Sequence, residues 1–163
     1  MNWVDIIVII LLILSFLGGL KEGVVKTLSS LVAMLIAVFL AGLSYRLLAS
    51  LLSFLPGDNW ENFLGFFITM GIISVILHFI LFIPRKIIGA IWKKGVLFRV
   101  LGGVCNLVGA MIGMAVFVLI VQAYPIFGWL ERWVSDSGVL SALVHAFSFI
   151  QLMLPDALKG TIL

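Results

Sequence analysis

A single cysteine, Cys105, leaves this 163-residue chain with no internal disulfide and no multi-thiolate metal site. Charge is almost as scarce. Only 10% of residues are charged against 64% hydrophobic, where a soluble domain carries about a quarter charged residues. A chain so apolar cannot hide its surface from water as a small globule, because small domains leave much of their surface exposed. The bilayer must serve as its solvent. There every backbone amide and carbonyl needs an internal partner, so only helices or a closed barrel can span. Barrels are written in alternating segments of about ten residues. The apolar stretches here run longer and do not alternate, so the expected fold is all-α, one integral membrane bundle over residues 1–163. Also missing are a Gly-x-Ser-x-Gly elbow with a histidine and an acid to activate it, a phosphate-cradling loop, and histidines at metal-ligand spacing. The chain is accordingly read as no enzyme, with no cofactor and no metal.

What is present is a series of long apolar runs. Four spans are expected, at about 4–20, 27–45, 63–83 and 100–124. The first opens with Asn2 and Asp5 rather than a basic stretch, so it reads as a retained helix and not a cleaved signal. A polar break at Lys21, Glu22 and Gly23 follows it. After the second span a short amphipathic piece containing Arg46 is expected at the surface, before the turn cluster Pro56-Gly57-Asp58-Asn59. Pro84 is expected to stop the third span. Residues 84–99 then place Arg85, Lys86, Lys93 and Lys94 on one side of a helical wheel and Ile87, Ile88, Ile91 and Trp92 on the other. That is the pattern of an interfacial helix lying on anionic lipid headgroups. A C-terminal amphipathic segment, 139–154, carries Ser141, His145, Ser148 and Gln151 as a polar stripe. It is short for a span, and an interfacial or re-entrant helix is preferred.

The net charge of +3 sits beside the spans rather than on a soluble patch, which favours lipid as partner and excludes nucleic acid. Lys21 and Lys26 follow span one, and Arg85, Lys86, Lys93, Lys94 and Arg99 follow span three, whereas Asp58 and Glu61 follow span two. With four spans both basic loops fall on one side, so the positive-inside rule puts both termini outside the cytoplasm. Trp3, Tyr45, Trp60, Tyr124, Trp129 and Trp133 fall near the expected outer ends and Trp92 near the inner one, as aromatic belts do.

Few residues are candidates for chemistry. Asp5 reads either as a protonatable gate or ion ligand, or as a helix-start carboxylate with Asn2 as N-cap, and the last is preferred. His78 lies deep in span three, where an ionisable group is a functional candidate by default. The cheaper reading is a neutral imidazole bonded to a neighbouring helix. In span four, Cys105, Gly109 and Gly113 recur every four residues, as do Gly102, Asn106 and Ala110. Small residues at this spacing let helices approach closely in lipid. One face is expected to pack inside the bundle and one to meet another copy or a membrane partner.

The order of these features resembles a known family. An acid near the start of the first helix, then Gly19-Leu20-Lys21-Glu22-Gly23 and Leu28-Ser29, is similar to the opening of the colicin V production protein (CvpA) family. Arg99-Val100-Leu101-Gly102, followed by small residues at four-residue intervals, is similar to that family's later stretch, with Phe98 where an acid or amide usually precedes the arginine. The resemblance covers nearly the whole chain. It implies a bacterial inner-membrane protein associated with toxin production and envelope homeostasis, and it adds Arg99 to the candidate functional residues. Two readings follow: a non-enzymatic accessory protein that acts by helix packing, and, as the alternative, a small transporter or channel.

Overall fold

A computed structural model of the chain describes residues 3–52, 58–91, 95–124 and 128–148. These form six helices and no strand among the described residues: α1 (Trp3–Glu22), α2 (Val24–Leu51), α3 (Asp58–Ile91), α4 (Val96–Ala123), α5 (Gly128–Ser135) and α6 (Gly138–Ala146). The first four are long and apolar enough to cross a membrane, the third over Trp60–Pro84. In sequence order they run alternately down and up. The start of α1, the end of α2, the start of α3 and the end of α4 therefore share one end of the bundle with α5 and α6.

The joint between α1 and α2 is one residue long. Gly23 adopts φ +78°, a left-handed conformation that L side chains rarely take and glycine takes freely. Its N–H bonds the Gly19 carbonyl at 3.0 Å and its carbonyl accepts from Thr27 N–H at 3.2 Å. The last turn of α1 is thus closed and the first turn of α2 opened at a single hinge. Glu22 and Lys26 pair at 2.7 Å on its exposed side.

Helix α4 is the centre of the bundle, touching α1, α2 and α6, while α3 packs chiefly on α2. The core runs along α4 from Ile112 to Val121, joined by Val38 and Ala41 of α2, Phe66 of α3 and Val8 of α1. Leucines and isoleucines such as Leu14, Leu43, Ile76 and Ile80 face outward. In water that would be an aggregation surface; in hydrocarbon it is the surface a span needs.

Several boundaries differ from the sequence reading. Helix α2 continues unbroken through Arg46 to Leu51, so Arg46 belongs to the spanning helix and not to a separate amphipathic piece. Pro84 does not stop the third helix, which runs on to Ile91. Proline removes one N–H and crowds the carbonyl one turn back, but spanning helices tolerate the freed group, and Pro84 lies on an exposed surface where its ring displaces no packing. The expected separate helix over 84–99 is replaced by the end of α3 and the start of α4. Lys86 is exposed there, while Lys93, Lys94 and Trp92 lie outside the described residues, as does any account of the Arg85 side chain. Helix α5 had no counterpart in the reading. Helix α6, nine residues long, spans about 14 Å at the helical rise, under half of a hydrocarbon core of roughly 30 Å. Its buried face is Leu140, Leu143 and Val144, and Ser141, His145 and Ser148 are exposed as the stripe required. Gln151 and the remainder to 154 lie outside the described residues.

Candidate functional site

The two stretches that carry the family resemblance meet in space. A Cβ built on Gly102 would stand 2.7 Å from the Gly19 carbonyl oxygen and 2.7 Å from the Gly23 carbonyl carbon. Conversely, a Cβ on Gly19 would overlap the Gly102 oxygen and lie 2.8 Å from the Gly103 Cα. These are backbone-to-backbone contacts. The hinge of α1–α2 is seated on the first turns of α4, and only glycine allows that distance. One turn further, the Asn106 side-chain amide donates to the Ser15 carbonyl of α1 at 2.6 Å.

Gly109 and Gly113 face α2. A Cβ on Gly109 would lie 3.5 Å from Leu31 Cδ1, and one on Gly113 would lie 3.1 Å from Met34 Cε. Between α1 and α2, above this stretch of α4, a crevice of about 350 Å³ is lined by Ser15, Thr27, Ser30, Cys105, Asn106 and Gly109 among others. Thr27 is buried and its hydroxyl donates back to its own helix, with the Gly23 oxygen 3.1 Å and the Val24 oxygen 3.2 Å away. Cys105 is partly buried on the crevice wall.

Asp5 stands buried in the first turn of α1, where an acid suits the helix dipole, and it also reaches α6. Its carboxylate accepts from the Ser137 hydroxyl at 2.6 Å and from the Val139 N–H at 3.3 Å. The Ser137 oxygen in turn accepts from Leu140 N–H at 3.3 Å. Two of the orphan donors at the start of α6 are thereby satisfied, one by Ser137 as N-cap and one by a carboxylate from the far end of the chain. Asp5 is 4% exposed and Ser137 0%. An anion at a helix N-terminus is also favoured by the helix dipole, so the contact fastens α6 to α1. A serine followed by an apolar run is an N-cap signal legible in sequence; its acidic partner was not.

His78 and Arg99 do not line the crevice. His78 is exposed on α3, turned away from the stripe of Phe66, Thr69, Met70 and Ile73 that meets α2. It has no hydrogen-bond partner among the described residues, so the expected bond to a neighbouring helix is not formed. Arg99 is exposed on the first turn of α4.

One cluster is not brought together by sequence reasoning, because Tyr45 and Tyr124 read as belt aromatics and Arg46 as part of a surface piece. At the α6 end of the bundle the Tyr45 and Tyr124 hydroxyls lie 3.1 Å apart, and Arg46 Nε donates to the Tyr45 oxygen at 3.4 Å. Burial, and then the bond to Tyr45, raise the Tyr124 hydroxyl above its ordinary range, so it remains a donor. Aromatics close the end beside it: Trp133 stacks edge-on with Trp3 at 4.7 Å and with Trp129 at 4.5 Å between ring centres.

No curated protein and no solved structure matches the chain. A family profile described as colicin V production protein does, across residues 4–148. That match takes in the Asp5 latch, the Gly19–Gly23–Gly102 seat and all four spans, and the chain belongs to the colicin V production protein family.

Proposed function

We propose that this chain is a non-enzymatic accessory protein of the bacterial inner membrane. It would serve toxin production and envelope homeostasis by packing its helices with another copy or with a membrane partner. The observation that supports the reading is that Asp5 and the glycines of the family-like stretches are spent on helix contacts. Gly19, Gly23 and Gly102 seat one helix pair on another, and Asp5 fastens α6. Both termini face away from the cytoplasm in this reading, and Arg85, Lys86, Lys93 and Lys94 hold the inner end of the bundle to anionic lipid.

The test is complementation of a deletion strain under toxin-production and envelope stress, with crosslinking to follow assembly. Gly102→Ala should impair both readouts, and His78→Ala should leave both intact. A transport reading has one observation in its favour, the crevice lined by Ser15, Thr27, Ser30 and Asn106 within the spans. It would prevail if His78→Ala or Ser30→Ala abolished complementation while crosslinking was unchanged, since polar groups at membrane depth mark transport paths.

A further inference from the structure

We propose that the cavity at the α6 end of the bundle binds a zwitterion of headgroup size, an oxyanion joined to a primary ammonium a few atoms away. This inference is independent of the accessory role. The cavity measures about 390 Å³, and Tyr45, Arg46 and Ser50 of α2, Glu61 and Asn62 of α3, and Tyr124 beyond α4 line it. Small-molecule sites begin at roughly 300 Å³ and owe their specificity to a few convergent polar groups.

The donor side follows from counting hydrogens. Each tyrosine hydroxyl has one, and the 3.1 Å bond between Tyr45 and Tyr124 uses only one of the two. The Tyr45 oxygen already accepts from Arg46 Nε. Whichever way the pair is oriented, one hydroxyl hydrogen is left without an acceptor among the described residues. Its owner is at least nine-tenths buried, since Tyr45 is 2% and Tyr124 9% exposed. A buried donor without an acceptor is costly, and an oxyanion in the cavity removes that cost. Arg46 adds the charge. Among the described residues only its Nε is engaged, which leaves the terminal guanidinium N–H groups for the forked contact that suits phosphate or carboxylate.

The acceptor side is Glu61. It is half-buried and forms no ion pair with Arg46, because the one ion pair among the described residues is Lys26–Glu22. A cation and an anion thus share one cavity without neutralising each other. A plain anion would meet repulsion from Glu61, and a plain cation repulsion from Arg46. A zwitterion satisfies both, with its oxyanion on Arg46 and the tyrosine pair and its ammonium on Glu61. Phosphoethanolamine has this chemistry, either as a lipid headgroup or as the free molecule. The aromatic end of a spanning bundle is where headgroups lie.

The experiment uses the purified full-length chain in detergent and measures binding by native mass spectrometry. Phosphatidylethanolamine, phosphatidylcholine and phosphatidylglycerol with identical acyl chains are the probes. The ethanolamine lipid should bind about tenfold tighter than either other, the scale of one lost hydrogen bond to a charged group. Trimethylation removes the ammonium donors and glycerol has no cation. Glu61→Gln should abolish the preference over phosphatidylglycerol, while Arg46→Gln and Tyr124→Phe should each weaken the ethanolamine lipid. Glu61 is only partly buried and forms no ion pair among the described residues, so its variant retains the fold. Free phosphoethanolamine that competes with the lipid would identify the headgroup alone as sufficient; lack of competition, with the lipid preference kept, would identify the lipid as the ligand. Equal binding of all three lipids, or a preference that survives both Glu61→Gln and Arg46→Gln, overturns the proposal.

Discussion

Replacing Gly102 by alanine adds one methyl group at the point where three helices converge. That methyl would sit 2.7 Å from two backbone atoms, the Gly19 oxygen and the Gly23 carbonyl carbon, and 2.9 Å from the Gly23 Cα. Neither neighbour is a side chain that could rotate away. Ordinary contact begins at 3.4 Å, so the α1–α2 hinge must retreat from α4 by about 0.7 Å, and the Asn106–Ser15 bond one turn away stretches with it. Overpacking of this kind costs about 1–3 kcal/mol. Alanine returns up to about 1 kcal/mol through its better helix propensity, leaving a net loss of up to about 2 kcal/mol and a deficit of about 1–3 kcal/mol against a glycine whose methyl is accommodated. Gly109→Ala is the internal control, since its methyl would lie at an ordinary 3.5 Å from Leu31 Cδ1, and only the propensity gain should remain. Gly71→Ala, with nothing within 4 Å, should behave the same way. Unfolding by graded addition of a denaturing detergent, followed by helical circular dichroism, orders the three. Gly102→Ala as stable as Gly109→Ala would show that α1 and α4 do not approach as closely as the glycines permit.

Asp5→Ala strands the Ser137 hydroxyl and the Val139 N–H at about 1–3 kcal/mol each; hydrogen exchange should then rise across α6 and not across α2, whereas Asp5→Asn, which keeps an acceptor, should be mild. Cysteine labelling from outside, in a Cys105→Ser background, should modify a cysteine at position 59 and spare one at position 95; modification at 95 would reverse the proposed orientation. The raised Tyr124 hydroxyl means that above pH about 10 the unfolded chain loses that proton before the folded one. Folded stability conferred by the neutral hydroxyl is complete below that pH and falls as pH rises beyond it. Tyr124→Phe should flatten this alkaline limb, and an unchanged limb would show that the hydroxyl is not buried as described.

The class of protein and the number of spans were legible in composition and run length alone, because hydrocarbon admits only segments that satisfy their own backbone. Which small residues share a face of α4 was legible as well, since spacing determines that, but not which helix each face meets. Helix ends were not. Pro84 and Arg46 look like terminators when judged by their neighbours, but α3 and α2 continue through them, since propensity is a weak prior that tertiary context overrides. Which glycine matters was likewise undecided by spacing. Gly102 and Gly109 look alike in sequence, and only the approach of α1 makes one irreplaceable and leaves the other open to a methyl. Asp5 could be read as an acid near a helix start, as it is, but two of its partners lie 132 and 134 positions away. The Tyr45–Arg46–Tyr124 cluster needs the ends of α2 and α4 side by side. Contacts between residues so far apart carry no local signal, because they depend on how α1, α2 and α4 pack rather than on any one helix.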